Sequence, residues 1–134
     1  MTAHLIAYIA TALIFTALDF AWLSSVGASL YRQTLGDILL SEIRLLPAAL
    51  FYLLYPAGLV IFAVSPAMKA GAVSTALVYG ALFGLFTYAT YDLTNLATLR
   101  NWTAQITVID IGWGAVMGAL VSAAAYWIAT WFTG

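Results

Sequence analysis

Four long stretches of the chain are almost entirely apolar, and the polar residues are concentrated between them. The apolar stretches cover about residues 4–26, 46–64, 72–95 and 104–132. An α-helix rises 1.5 Å per residue, so about 20 residues cross the ~30 Å hydrocarbon core of a bilayer. Each stretch reaches or approaches that length. The pattern predicts an all-α membrane protein in which residues 1–134 form a single domain, a bundle of four transmembrane helices.

The connections between these stretches differ in length. Pro66 and Gly71 mark a tight connection between the second and third helices, and residues 100–102 mark another between the third and fourth. The first connection, residues 27–44, is much longer. Its apolar residues recur at helical spacing, which predicts a short interfacial helix between helices 1 and 2, lying on the membrane surface. These residues are Leu35, Ile38, Leu39 and Ile43.

Composition supports the membrane and excludes other classes. The chain is 65% hydrophobic and 7% charged, whereas about a quarter of the residues of a soluble domain are charged. The net charge is −1, so no basic patch indicates a nucleic-acid partner. The N-terminus lacks the basic region of a signal peptide, so we expect the first apolar stretch to be retained as a helix.

The basic residues predict an orientation. Arg32, Arg44 and Arg100 lie in the first and third connections, whereas the opposite side carries Lys69 and, near the N-terminus, His4. Because cytoplasmic connections carry an excess of Lys and Arg, the first and third connections are expected in the cytoplasm. This places both termini on the outer side of the membrane.

Three aspartates lie inside or at the edge of the predicted helices. They are Asp19, Asp92 and Asp110. A carboxylate at mid-helix costs roughly 2.5–3.5 kcal/mol on insertion scales, so such residues normally face protein or a wet cavity. Counted at 1.5 Å per residue, all three lie within about 10 Å of the cytoplasmic ends of their helices. We therefore predict that they meet in one polar pocket in the cytoplasmic leaflet.

Glycines predict which helices pack together. Gly80 and Gly84 are four residues apart on the third helix, as are Gly114 and Gly118 on the fourth. Rows of small residues at this spacing let two helix backbones approach closely in lipid. The rows predict a close pair between the third and fourth helices. The alternative is that they form a homodimer or bind a partner membrane protein.

Aromatic residues accompany the aspartates. Trp22 follows Asp19 by three residues, and Trp113 follows Asp110 by the same interval, which places each pair on one side of a helix. Hydroxyl and indole N–H groups are donors that satisfy buried carboxylates. The predicted ligand-binding residues are Asp19, Trp22, Tyr55, Tyr88, Tyr91, Asp92, Asn95, Arg100, Asp110 and Trp113. In the alternative interpretation the acids form ion pairs only, Asp19 with Arg44 and Asp92 or Asp110 with Arg100.

Several chemistries have no residues to support them. The chain has no cysteine, and its one histidine, His4, lies at the opposite end from the aspartates. No nucleophile-and-base set, metal site or cofactor is therefore predicted. Asp19 and Asp110 are the candidates for acid–base work by a carboxylate pair. The sequence leaves open whether any reaction is catalysed.

The most specific string in the chain is residues 88–102, YATYDLTNLATLRNW. Further strings are residues 18–23, LDFAWL, residues 31–36, YRQTLG, residues 51–55, FYLLY, and residues 110–114, DIGWG. Together they resemble a bacterial family of small predicted membrane proteins, the domain of unknown function 2177, over nearly the whole chain. The resemblance implies a four-helix inner-membrane protein and assigns no activity.

Three functions are compatible with these features. The first is binding or modification of a membrane lipid or another amphiphilic small molecule in the polar, aromatic-lined pocket. The second is a small proton-coupled transporter in which Asp19 or Asp110 is the coupling acid. The third is an accessory subunit that packs against a larger membrane complex through its glycine faces.

Overall fold

The structure is a computed structural model that describes all of residues 1–134, and four long helices make up most of it. These helices are α1 (Thr2–Leu35), α2 (Leu45–Ala70), α3 (Val73–Thr98) and α4 (Ala104–Thr133). Each is long and apolar enough to cross a membrane. The chain is thus an all-α membrane protein built as a four-helix bundle, which confirms the prediction from hydropathy.

Two of the helices contain a π-helical turn, Leu23–Gly27 in α1 and Val60–Val64 in α2. A π turn bonds each N–H to the carbonyl five residues earlier, so the helix widens locally without ending. In α1 the turn carries the helix through the polar segment to Leu35. The separate interfacial helix predicted in this segment is not confirmed, because its helical part continues α1 and residues 36–44 form turns or irregular chain.

Three residues explain where the other helices begin and end. Pro66 does not end α2, because it lies in the first turn of the α-helical part Ser65–Ala70, where a missing N–H is tolerated. Gly71 ends α2 in the left-handed conformation, at φ 66°, which glycine adopts without strain. At the start of α4, the Thr103 side chain accepts a hydrogen bond from the backbone N–H of Ile106 at 3.2 Å.

Helices α3 and α4 form the most extensive pair in the bundle. A Cβ atom added at Gly84 would overlap the carbonyl oxygen of Gly114, and one added at Gly118 would overlap that of Gly80. Only glycine therefore permits this approach of the two backbones, which confirms the predicted close pair. Within one chain, these glycine faces already cover each other.

The bundle has two unlike ends. The end that carries the termini and Gly71 is packed with small side chains, and we call it the alanine end. It is formed by Ala7, Ala10, Val60, Val64, Ala67, Ala76, Ala125, Tyr126 and Ala129. The opposite end contains Asp19, Asp92 and Asp110, and we call it the aspartate end.

Helix α2 leans away from α3 at the aspartate end. Its C-terminal part, Val60–Val64 and Ser65–Ala70, packs against α3. Its N-terminal part, Leu45–Leu59, packs against α1 instead and makes few contacts with α3. The backbones of α2 and α3 are therefore farther apart at the level of the aspartates, where side chains such as Tyr55 and Thr87 bridge the two helices.

Candidate ligand-binding site

The three aspartates come from three different helices and are all withdrawn from the surface. Asp19 on α1 is 7% exposed, Asp92 on α3 is fully buried, and Asp110 on α4 is 3% exposed. Buried carboxyl groups are normally paired or hydrogen-bonded, because transfer of a charge out of water is costly. The partners of these groups therefore matter for what the site can do.

Tyrosines, not arginines, supply the hydrogen bonds to two of the acids. The Tyr52 hydroxyl donates to Oδ2 of Asp19, and the Tyr31 hydroxyl donates to Oδ1 of Asp110 at 2.8 Å. The ion pairs considered from the sequence are not formed. Arg32, Arg44 and Arg100 are all exposed and make no hydrogen bond to an aspartate.

Asp92 is the exception among the three. Its carboxyl group is completely buried, and neither oxygen accepts a hydrogen bond from any donor in the protein. It lies beside the carboxyl group of Asp110, on the neighbouring helix. Of these two adjacent acids, only Asp110 accepts a hydrogen bond from a tyrosine, Tyr31.

A pocket of about 370 Å³ lies between the helices at this end, and all four helices contribute to it. Its volume falls in the range of about 300–1,000 Å³ that is usual for small-molecule sites. Most of the lining is hydrophobic, with two carboxylates among it. The lining residues are Asp19, Trp22, Leu23, Tyr31, Phe51, Tyr52, Tyr55, Thr87, Tyr88, Tyr91 and Asp110.

The walls of the pocket are held in place by a hydrogen bond between two lining residues and by contacts with the backbones of α3 and α4. The Tyr55 hydroxyl is hydrogen-bonded to Oγ1 of Thr87 at 2.8 Å, and Thr87 donates in turn to the Phe83 carbonyl. The ring of Tyr88 lies directly on Gly114, where any Cβ atom would overlap it. The positions of both rings are therefore fixed by contacts with α3 and α4.

Two tryptophans form one side of the site. Trp22 and Trp113 stack almost parallel, with ring centroids 4.7 Å apart and an interplanar angle of 5°. Trp22 lines the pocket, whereas Trp113 lies behind it, next to Asp19. The indole N–H groups of both rings are buried without a hydrogen-bond partner. The indole N–H groups of Trp22 and Trp113 therefore remain available as hydrogen-bond donors next to the acids.

A third tryptophan lies beyond the pocket, towards the end of the bundle. Trp102 is 4% exposed and donates from Nε1 to Oγ1 of Thr107 at 3.0 Å. Its ring lies 6.1 Å from that of Tyr31 and 5.6 Å from that of Tyr91, between centroids. It therefore backs two of the tyrosines that line the pocket.

The most exposed lining residues define the mouth of the pocket and come from α1, α2 and α3. Leu23, Phe51 and Tyr91 are lining residues that are 41%, 44% and 50% exposed. These positions lie on the sides of membrane-spanning helices, not in the connections between them. The opening therefore lies on the side of the bundle, where the spanning helices meet lipid.

The structure brings most of the predicted binding residues together. Six of them line the pocket: Asp19, Trp22, Tyr55, Tyr88, Tyr91 and Asp110. Asp92 and Trp113 lie directly behind lining residues, and Asn95 lies next to Tyr91. Arg100 is exposed in the connection between α3 and α4 and does not line the pocket. A role in binding stays a prediction for all ten.

Five lining residues were not among the predicted set. They are Leu23, Tyr31, Phe51, Tyr52 and Thr87. Tyr52 was detectable, because it precedes Tyr55 by three residues and so lies on the same side of α2. Tyr31 was not, because its segment reads as a polar connection and reaches Asp110 only through the π turn of α1.

Comparison with known proteins places the chain in a family. A family described as "Predicted membrane protein (DUF2177)" matches residues 4–127. The chain belongs to this family. The resemblance expected from its sequence strings is thereby confirmed, and with it a membrane protein of four spanning helices. No curated protein and no solved structure shows significant similarity to it.

Proposed function

We propose that this family member binds an amphiphilic small molecule or lipid, which enters the pocket sideways from the bilayer. The observation that carries the proposal is the position of the mouth. A pocket lined by two carboxylates is exposed at Leu23, Phe51 and Tyr91, on the sides of spanning helices, where the bundle meets lipid. A water-soluble ligand would have no reason to approach from that side, whereas a molecule dissolved in the bilayer arrives there directly.

The two kinds of lining residue suit the two parts of an amphiphile. The rings of Phe51, Tyr55 and Tyr88 offer apolar surface to an alkyl chain. Asp19 and Asp110 offer acceptors to a polar end group. The volume accommodates a polar end and the first part of a chain, and the rest of the chain would extend through the mouth into the bilayer.

Two structural features favour this proposal over the alternatives. Coupling acids of transporters usually lie near the middle of the membrane, whereas these aspartates lie towards one end of the bundle. An accessory subunit was expected to use its glycine faces, but Gly80, Gly84, Gly114 and Gly118 are already in contact within the chain.

The proposal is tested by closing the mouth. Leu23 lines the pocket and is partly exposed, so Leu23→Trp should fill the opening without disturbing the packing of the core. The matched control is Leu120→Trp, which adds the same side chain at a lipid-facing position of α4 that is 53% exposed. Both variants and the parent are purified in a neutral maltoside detergent, and retained amphiphiles are identified by native mass spectrometry and lipid extraction.

We expect the parent and Leu120→Trp to retain the same amphiphile. Leu23→Trp should retain at least about tenfold less, equivalent to a loss of about 1.4 kcal/mol in binding. A parent that carries no amphiphile, or equal retention in all three proteins, would rule out binding through this mouth.

We further propose that the aspartate end faces the cytoplasm of a bacterial inner membrane, with both termini in the periplasm. The support is that Arg32, Arg44 and Arg100 lie in connections at this end, and only Lys69 in the connection at the other.

Because the chain has no cysteine, single cysteines report topology without background. The test uses cells with a permeabilised outer membrane and an intact inner membrane. In these cells Gly134→Cys should react with a membrane-impermeant maleimide, and Ser41→Cys should not. The reverse pattern would invert the orientation.

A further inference from the structure

We infer that the polar end of the bound amphiphile is a cation, an alkyl-ammonium group that sits between the carboxylates and the aromatic rings. The inference rests on the proposed function and adds the chemical class of the ligand. It follows from three properties of the pocket: the signs of the charges that line it, the unpartnered acid behind it, and the kind of rings around it.

The charge in the pocket is of one sign. Asp19 and Asp110 line it, and no lysine, arginine or histidine is among the lining residues. The nearest candidates for a counter-charge, Arg32, Arg44 and Arg100, are exposed and make no contact with the acids. Buried carboxylates are costly to keep unless an opposite charge approaches them. A cationic ligand would supply the charge that the chain itself lacks.

Asp92 provides an independent indication. It is fully buried, has no hydrogen-bond donor at either oxygen, and lies beside Asp110. A structural role would normally come with a partner, because an unpaired buried polar group lowers stability. Two carboxyl groups this close share a proton and do not both carry a charge, so the second acid can ionise to meet a cation that enters the pocket, whereas it gives an anion no counter-charge.

The rings around the acids are those that bind ammonium groups. An aromatic face is electron-rich and attracts a cation within about 6 Å, most strongly for tryptophan and also for tyrosine. Six of the eleven lining residues are tryptophan or tyrosine. They are Trp22, Tyr31, Tyr52, Tyr55, Tyr88 and Tyr91. A quaternary ammonium, which cannot donate a hydrogen bond, would still be held by these faces and by the charge of the acids.

The same arrangement argues against anionic end groups. A phosphate or a fatty-acid carboxylate at this position would face two carboxylates in a water-poor site, where like charges repel strongly. The ammonium itself has two plausible sources in a membrane, a simple long-chain amine or the terminal ammonium of a zwitterionic phospholipid. In the second source a phosphate follows the ammonium at a short distance, so the two can be distinguished by experiment.

The test compares three probes with the same alkyl chain. They are dodecyltrimethylammonium, dodecylphosphocholine and dodecyl phosphate, added together in equal amounts to the full-length protein in neutral maltoside detergent. Bound species are counted by native mass spectrometry. Asp110→Asn removes a charge from the pocket, and Asp37→Asn removes the same charge from an exposed position in the connection between α1 and α2.

We expect the parent and Asp37→Asn to prefer dodecyltrimethylammonium over dodecyl phosphate by at least about tenfold. In Asp110→Asn the preference should fall severalfold. Comparable occupancy by dodecylphosphocholine would identify the zwitterionic source, and its exclusion would identify the simple amine. Both results support a cationic end group.

Two results would overturn the inference. Equal or tighter binding of dodecyl phosphate in the parent would show that the pocket does not select a cation, even if Asp110→Asn proved too unstable to measure. A preference in the parent that is fully retained in Asp110→Asn would show that the Asp110 carboxyl group takes no part in the selection, which the inference requires. In either case the proposed function would stand if Leu23→Trp still reduced retention of the native amphiphile, and would fall with the inference if it did not.

Discussion

The alanine end and the aspartate end are made by the same four helices in the same bilayer, yet they are packed in opposite ways. At the alanine end, small side chains such as Ala7, Ala67 and Ala125 are completely buried. At the aspartate end, large rings and carboxyl groups hold α2 away from α3 and leave a pocket of about 370 Å³. Side chains fill the alanine end, whereas the aspartate end contains a pocket large enough for a small molecule.

The difference shows where stability and binding are located. In lipid, helices gain little from burying apolar surface, so close packing of small residues becomes a main source of association. The alanine end and the glycine rows of α3 and α4 supply that packing. The aspartate end gives up such contacts. Its buried polar groups without partners are two indole N–H groups and a carboxyl group, at Trp22, Trp113 and Asp92, whereas those elsewhere in the bundle are the hydroxyls of Thr11 and Ser122. The four substitutions below test this division, from the largest expected effect to the smallest.

Gly80→Leu should have the largest effect, because it forces apart the helices that the small residues hold together. A Cβ atom there would overlap the carbonyl oxygen of Gly118, and the backbone cannot move away without separating α3 from α4. Overpacking typically costs about 1–3 kcal/mol, and a clash with backbone should exceed that range. The free energy of unfolding, measured by titrating dodecyl sulfate into mixed micelles, should fall accordingly.

The control for this substitution is Gly112→Leu on α4. A Cβ atom at Gly112 meets nothing within 4 Å, so stability should change little. Equal losses in the two variants would mean that the close approach of α3 and α4 does not stabilise the bundle.

Tyr31→Phe should have the next largest effect. It removes the hydroxyl that donates to Asp110 and leaves that carboxyl group, like Asp92, without a donor. A lost hydrogen bond to a charged group costs about 1.5–3 kcal/mol, and the same unfolding titration should show a loss of this order. Tyr79→Phe is the matched control, because Tyr79 is 46% exposed on the side of α3. Similar losses of stability in Tyr31→Phe and Tyr79→Phe would show that the effect comes from removing any tyrosine hydroxyl and not from the hydrogen bond to Asp110.

Asp92→Asn should leave stability unchanged or raise it by up to about 1 kcal/mol in protein free of ligand. The amide group has nearly the same size as the carboxyl group and can donate a hydrogen bond to Asp110, which lies beside it. If the free energy of unfolding instead fell by several kcal/mol, Asp92 would have a structural partner, and the division between the two ends would be wrong.

Ser122→Ala at the alanine end should have the smallest effect. The Ser122 hydroxyl is fully buried without a hydrogen-bond partner, next to Gly80. Its replacement by a methyl group removes an unsatisfied group and adds no cavity of consequence, so stability should change by a few tenths of a kcal/mol at most. A large loss in the unfolding titration would show that the small residues at this end are held by more than close packing.

The sequence predicted most of the fold because the governing signals are local. The length of an apolar run determines whether it spans the membrane, and the spacing of Gly80 and Gly84 determines which side of α3 meets α4. The ends of α1 and α2 were harder to predict, since Ser24, Ser25 and Pro66 usually indicate the end of a span. Here α1 continues through the π turn Leu23–Gly27 to Leu35, and α2 tolerates Pro66 in the first turn of Ser65–Ala70.

Part of the site was predicted because it too depends on local signals along each helix. The depth of Asp110 follows from counting residues from the start of α4, and Asp110 lines the pocket. The depth of Asp19 was counted from a predicted helix end at residue 26, whereas α1 continues to Leu35, so its place in the pocket depends on how α1 packs. The pairing of each acid with a tyrosine depends on how the helices are rotated and how far α1 extends. Arg100 has the charge to pair with an acid, but it remains exposed in a connection.

Photochemical labelling would test the central claim most directly. A dodecyl-ammonium probe that carries a diazirine in its chain is irradiated with the protein in neutral lipid nanodiscs, and labelled residues are mapped by peptide mass spectrometry. The account predicts labels on the pocket side of α2 and α3, at Phe51, Tyr55 and Tyr88, and their loss when unlabelled dodecyltrimethylammonium competes. Labels spread over lipid-facing residues such as Phe62, Leu120 and Phe132, with no competition, would contradict it.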